Sequence, residues 1–353
     1  MARSPLALVL LSLALSACSP ADPQQSVSRA LTDDVLLPAY ASWVEANRQL
    51  AQSGQAFCAG EQSLSDAHQA FRTVQSAWAG LQPLLIGPLA EGNRAWQVQF
   101  WPDKKNLVAR QVTALINSKP QLSPADLDKS SVVVQGLSAY EYLLYDPAID
   151  LANAEQKARY CPLAVAIGQH QQALASDVLE LWQAKDGMAA QLQDFPNQRY
   201  AEPAEALAEL LRTQVSAIDG LKKKLGTPLG RQSKGQPQPY QAEAWRSQAS
   251  LANLAAGLAS AERIWHGAEQ DGIQALLSSD QAALKQRIDA AYGDTRQRLA
   301  ALQRPLGELL AEQPGRDQLN ALYDSLDALH RLHESELAKA LGIQMGFNAH
   351  DGD

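Results

Sequence analysis

SSVVVQGLSAYEYLLYD, residues 130–146, reads as a helix enclosed by other helices. Between Lys129 and Asp146 lie sixteen residues with a single charge, Glu141. A helix that is apolar on most sides is buried in a core instead of lying on a surface. A carboxylate carried into such a core needs a cation, several donors or a metal, and otherwise takes up a proton. Positions 134, 138, 141 and 145 share one helical face, so Ser138 and Glu141 point the same way, flanked by Tyr140 and Tyr142. Two readings stay open: an ion pair with an arginine such as Arg94 or Arg110 that ties two helices together, or the anchor of a binding site.

Outward from this stretch the helical period persists. Ala67, Phe71, Val74 and Trp78 are spaced by three and four, as are Leu174, Val178, Leu181 and Trp182, and Leu322, Leu326 and Leu329. Ala, Leu and Gln dominate, and VVV at 132–134, the one short β-like run, leads straight into helical spacing and is read as helix. Helices are expected near 31–53, 62–82, 104–117, 130–145, 154–185, 203–225, 240–268, 280–312 and 316–341, with Gly and Pro at the breaks. The polar stretch at 226–239 predicts a surface loop, and QDFPNQRYAEP at 193–203 predicts the boundary between two units. VQFWPDKKN at 98–106 and IQMGFNAHDGD at 343–353 are similar enough to suggest an internal duplication. The expected architecture is all-α, two duplicated helical-bundle domains over 30–193 and 194–353.

The 353 residues are 46% apolar and 19% charged, enough for two packed cores and incompatible with a disordered chain. Thirty Lys and Arg against thirty-eight Asp and Glu give a net charge of -8, with no basic block beyond the lysines at 222–224. Nucleic acid is therefore not an expected partner. The N-terminus, MARSPLALVLLSLALSAC, has one positive charge, a short apolar run and small residues before a cysteine, which is an export signal over 1–17. Leu15, Ser16, Ala17 and Cys18 resemble a bacterial lipobox, whose cysteine is acylated and becomes the first residue; residues 18–29 would then be the anchor and a flexible tether. Ser19 in place of the retention Asp points by resemblance to the outer membrane, facing the periplasm, with the lipid bilayer as a partner. With Cys18 assigned to lipid, Cys58 and Cys161 remain as an even pair in an oxidising compartment, and one disulfide is expected.

GLSAYEYLLYD at 136–146 resembles the G-x-H-x-x-E segment of the imelysin family, the peptidase M75 group of periplasmic and surface proteins. GPLAEGNRAWQVQFWPDKKN at 87–106, SKPQLSPADLDKSSVVVQGLSAYEYLL at 118–144, GQPQPYQAEAWRSQASLANLAAGL at 235–258 and LGIQMGFNAHDGD at 341–353 are similar to that family too. The resemblance covers the chain from about residue 33 to its end. It implies an all-α, two-domain fold of helical bundles and an association with bacterial iron acquisition. Gly136 and Glu141 match the motif, but Ser138 stands where the family has His. A hydroxyl is a poor ligand for zinc or ferrous iron, so a metal site built on this motif loses a donor here. No H-E-x-x-H and no G-x-S-x-G occurs, which weakens the peptidase implication.

The expected site combines Glu141, Asp103, Asp351 and His350 as donors for iron or another divalent cation, lined by Gly136, Ser138, Phe100, Trp101, Phe347 and Asn348. FWPD at 100–103 has a second reading, in which Asp103 caps the helix that follows. His330, His333 and Glu334 could share a metal at their spacing, but a solvated edge with one packed histidine is favoured. His68, His170 and His266 have no partners legible in the sequence. The first functional expectation is a lipid-anchored binding component of iron uptake, holding a metal, a metal complex or a partner protein. The alternatives are a metallopeptidase and a helical scaffold that docks an outer-membrane transporter.

Overall fold

The computed structural model describes residues 22–345, and within them every regular element is helical. Cys18, Phe347, Asn348, His350 and Asp351 lie outside the described residues. α1 (Pro23–Leu31) runs through a π turn, Thr32–Leu36, into α2 (Leu37–Ala59). α2 stops at Gly60, whose φ of 85° is the left-handed C-cap that glycine takes without strain. α3 (Leu64–Leu81) starts on a capping box in which Ser63 and Asp66 bond each other's backbone amides. The first half continues through α4 (Arg94–Val98), α5 (Leu107–Ser118), α6 (Pro124–Asp128), α7 (Leu137–Tyr145), α8 (Ala154–Gln183) and α9 (Met188–Gln193). The second half holds α10 (Pro203–Gly226), α11 (Ser250–His266), α12 (Ala282–Ala300), α13 (Leu306–Ala311), α14 (Gln313–Arg331) and α15 (Ala338–Ala340).

α2 packs along α8 and against α3, and α11 lies on α3, so helices of the two halves share a face. Gly168 of α8 lets that packing close, because a Cβ there would sit 3.0 Å from the Cα of Ala51. Trp43, Trp182 and Trp265 are fully buried. Side chains of this size contribute about 2–3 kcal/mol each by leaving water, and one contiguous apolar cluster contains all three. The expected disulfide is present: Cys58, at the end of α2, joins Cys161 of α8. No described helix is long and apolar enough to cross a membrane.

Five expectations need correction. The flexible tether expected over 18–29 is helix from Pro23 onward, and it is packed: Val27 and Ser28 are buried and the Ser28 hydroxyl donates to the Leu192 carbonyl at 2.6 Å. The stretch 130–145 is not one helix: Ser131 caps a 3-10 turn, Val132–Val134, and α7 begins only after Gly136. A Cβ on Gly136 would come within 2.5 Å of the Gln97 carbonyl and closer still to that of Val98, so the chain breaks where two backbones meet. The helix expected from 240 begins at Ser250, and 239–249 is a 3-10 turn followed by an irregular connection with Ala244 and Gln248 at positive φ. The loop at 226–239 is exposed mainly over 231–236, whereas Thr227 and Leu229 are buried. Finally, 280–312 divides into α12 and α13 at Pro305, which cannot continue the ladder. The expected boundary at 193–203 falls in the irregular stretch between α9 and α10.

Candidate functional site

Glu141 enters the core on α7 and is 6% exposed. Its Oε1 accepts two hydrogen bonds from one residue of the irregular connection, the Ser247 amide at 2.8 Å and the Ser247 hydroxyl at 2.6 Å. Burial pushes the carboxyl above its ordinary range; the Ser247 bonds and the Arg246 charge oppose this, and Glu243 adds to it. Neither arginine expected from the sequence holds it. Arg94 donates instead to the Pro88 carbonyl at 2.8 Å, and the cation that acts on Glu141 is Arg246.

Arg246 is itself held in place. Its Nε pairs with Asp146 at 2.8 Å, Nη2 donates to Asn106 at 3.3 Å, and the guanidinium lies over the rings of Tyr142 and Trp245 at 5.1 and 4.3 Å. With both side chains nearly buried, this pair joins the end of α7 to the connection before α11. A second link runs from Glu243, 2% exposed, to Lys224 of α10 at 2.7 Å. Lys224 also bonds Gln82, and Gln99 Oε1 accepts from Gln82 at 3.0 Å and from the Trp78 indole at 2.8 Å. The connection 242–249 is thus fastened on both sides by buried polar bonds, with the second oxygen of Glu243 left without a partner.

The other expected site residues act locally. The Ser138 hydroxyl donates to the Phe100 carbonyl at 2.8 Å, so it and Glu141 serve different neighbours. Trp101 donates from its indole to the Gln241 carbonyl at 3.0 Å, across to the second half. Asp103 caps α5: its two oxygens accept from the amides of Leu107 at 2.7 Å and Val108 at 3.0 Å. Phe100 packs on the core and contacts Trp96 at 5.8 Å.

As a metal set, the described members do not fit a bound ion. Glu141 is occupied by Ser247 and Asp103 by helix amides, and among the described residues no group of three or more His, Cys, Asp or Glu side chains converges. His330 and His333 are both buried, one more than expected. His333 sits 2.9 Å from the Leu329 carbonyl and 3.2 Å from the Tyr292 hydroxyl, while His330 is 3.7 Å from Glu334. The remaining described histidines do have partners: His68 stacks on Tyr145 at 4.3 Å, His170 lies 2.9 Å from Asp128, and His266 is 3.8 Å from both Glu262 and Asp289.

Two clefts lie near the anchors of the connection, besides a smaller one of about 280 Å³ along its Ala242, Trp245 and Gln248. One, of about 450 Å³, lies between the 78–101 region and α10, and includes Trp78, Trp96, Gln99, Trp101, Arg212 and Lys224 in its lining. The other, of about 580 Å³, is bordered by Asp103, Asn106, Asp146, Tyr240, Trp245 and Arg246. Both are within the range of small-molecule sites. Sequence reading missed Glu243, Arg246 and Ser247, although two opposite charges in the otherwise uncharged QAEAWRSQASLANLAAGL were a usable signal.

The Imelysin family profile (Peptidase_M75) matches residues 36–333. The chain belongs to the imelysin family. Two solved structures share this imelysin fold. An imelysin-like protein from Psychrobacter arcticum 273-4 superimposes with a TM-score of 0.79 at 24% identity, covering 92% of this chain and 97% of that one. A putative iron-regulated protein A precursor from Parabacteroides distasonis ATCC 8503 gives 0.73 at 17% identity, with the same coverage of 92% and 97%. At these identities the likeness is one of fold. No curated protein matches the chain.

Proposed function

We propose that this imelysin is a lipid-anchored binding component of bacterial iron acquisition, facing the periplasm from the outer membrane, and that it takes iron as a complex and not as a bare ion. The observation that carries the second half is the commitment of Glu141 and Asp103 to Ser247 and to the α5 amides beside two open clefts. A bare cation would find only the second oxygen of Glu141, with no further carboxylate, imidazole or thiolate set converging on it among the described residues, whereas a complex needs only the clefts. The anchor rests on the lipobox at 15–18. The link to iron rests on the family and on a fold relative described as iron-regulated. The peptidase designation has less support: hydrolysis needs an activated water, and the buried carboxylate is tied to a serine of the neighbouring connection.

The test is calorimetric titration of the soluble form starting at residue 19 with Fe(III) nitrilotriacetate, haem, Fe(II) and Zn(II). Saturable binding of one of the two complexes near one equivalent, with neither bare ion bound, is expected. Binding of Zn(II) or Fe(II) that Glu141→Ala abolishes would overturn the reading in favour of a metal centre at Glu141. Binding of none of the four would leave docking to a transporter as the role. Palmitate labelling lost in Cys18→Ser tests the anchor.

A further inference from the structure

The cleft of about 450 Å³ has three indoles in its wall, Trp78, Trp96 and Trp101. The indole N–H groups of Trp78 and Trp101 are already spent, on Gln99 and on the Gln241 carbonyl. Neither ring has a free donor, and Trp78, 3% exposed, is the floor of the cleft, leaving Trp101 and Trp96 as its ring surfaces. Trp96, 46% exposed, is one of the few large apolar side chains left in solvent. A wall of this kind favours a flat, apolar ligand, since indole faces stack on rings at little entropic cost.

The charges of the same cleft are unequal. Lys224 is neutralised by Glu243 at 2.7 Å. Glu209 is neutralised by Arg199 at 2.8 Å and accepts from the Tyr200 hydroxyl at 2.7 Å. Arg212, also in the lining, donates to a neutral acceptor, the Gln344 carbonyl at 3.2 Å, and no carboxylate among the described residues pairs with it. The cleft thus combines aromatic walls with one uncompensated guanidinium, whose planar fork suits a carboxylate.

We infer that this cleft binds a planar aromatic acid, its ring against Trp96 and its carboxylate at Arg212. The inference rests on the reading of the chain as a binding protein but needs no iron, so the two fail separately. The probe is 2-naphthoate, titrated into metal-free protein starting at residue 19 and followed by tryptophan quenching and calorimetry, beside the uncharged 2-naphthamide. One saturable equivalent of 2-naphthoate is expected. Arg212→Gln should weaken it by about tenfold, as loss of one charge-assisted contact does, and leave 2-naphthamide unchanged. Trp96→Ala should weaken both. Circular dichroism of each variant confirms the fold, and both positions are exposed enough to be replaced without disturbing the core. No saturable binding, or equal weakening of acid and amide by Arg212→Gln, overturns the inference. So does tighter binding of decanoate than of 2-naphthoate, which would mark an aliphatic site.

Discussion

Replacing Glu141 by glutamine separates its two roles, as an acceptor and as a charge. The Glu141→Gln side chain would keep an oxygen where the Ser247 amide and hydroxyl donate at 2.8 and 2.6 Å, but would carry no charge into a site that is 6% exposed. In the native fold burial holds the Glu141 carboxyl above its ordinary range. Below the unfolded value, near 4.5, the group is protonated in both states and the fold has its full stability. As pH rises the unfolded chain releases this proton first, and stability falls until the folded group also ionises. The slope in that window approaches about 1.4 kcal/mol per pH unit. Glu141→Gln should therefore match the wild type near pH 4 and exceed it above that, by a margin that grows until the folded carboxyl ionises. Glu141→Ala should be worse near pH 4 by about 2–4 kcal/mol, because it leaves a void and strands the Ser247 amide, while the hydroxyl can turn to the Gln75 or Ala244 oxygen at 3.3 Å; the deficit should narrow as pH rises, since alanine also lacks the titrating group. Urea unfolding followed by circular dichroism from pH 4 to 8 measures each difference, and the other carboxylates cancel between variant and wild type. A Glu141→Gln variant equally or more destabilised at pH 8 than at pH 4 would refute the account: the charged form would then be the one the fold holds.

Other outcomes follow from the same geometry. Gly136→Ala should destabilise by about 2–3 kcal/mol or more, since its Cβ would strike the Gln97 and Val98 carbonyls, whereas Gly293→Ala, with nothing within 4 Å, should stabilise α12 by up to about 1 kcal/mol; urea midpoints compare the two. Replacing Cys58 and Cys161 by serine should cost about 4–5 kcal/mol in the chain-entropy account, because the bond spans 103 positions; an unchanged midpoint would contradict it. Burial depresses His333 to about 4 from 6.5, so its contribution is complete above pH 6.5 and is lost as pH falls towards 4, a change of about 3 kcal/mol that a His333→Phe variant should lack in acid unfolding.

The sequence showed the helices with an apolar stripe and a clean cap, such as α3 with its Ser63 and Asp66 box, because both signals are local. It also marked Glu141, since one carboxylate in an apolar run has few explanations. It could not show what answers that carboxylate. Ser247 lies 106 positions away, in a stretch whose Ala, Glu, Trp and Arg spacing imitates a helix that the fold does not make. There the bonds of Glu243 and Arg246 to distant partners outweigh local propensity, which is worth only tenths of a kcal/mol per residue. Asp103 was legible in one of its two readings, as a helix cap. The helix itself starts at Leu107, a few residues later than the expected 104, and the carboxylate spans that gap.

The hold of Ser247 on Glu141 also sets the order in which the molecule can mature. A contact between residues 106 apart closes only after a large loop has been brought together, and such contacts form late. α7 can be in place among the first-half helices while its carboxylate still awaits the connection before α11. A chain released from synthesis with only its first half packed would present a buried acid with no donors, the very state that invites water or a chaperone. The shape of the two clefts therefore depends on a completed C-terminal half, and lesions in α11, which lines neither, should disturb both.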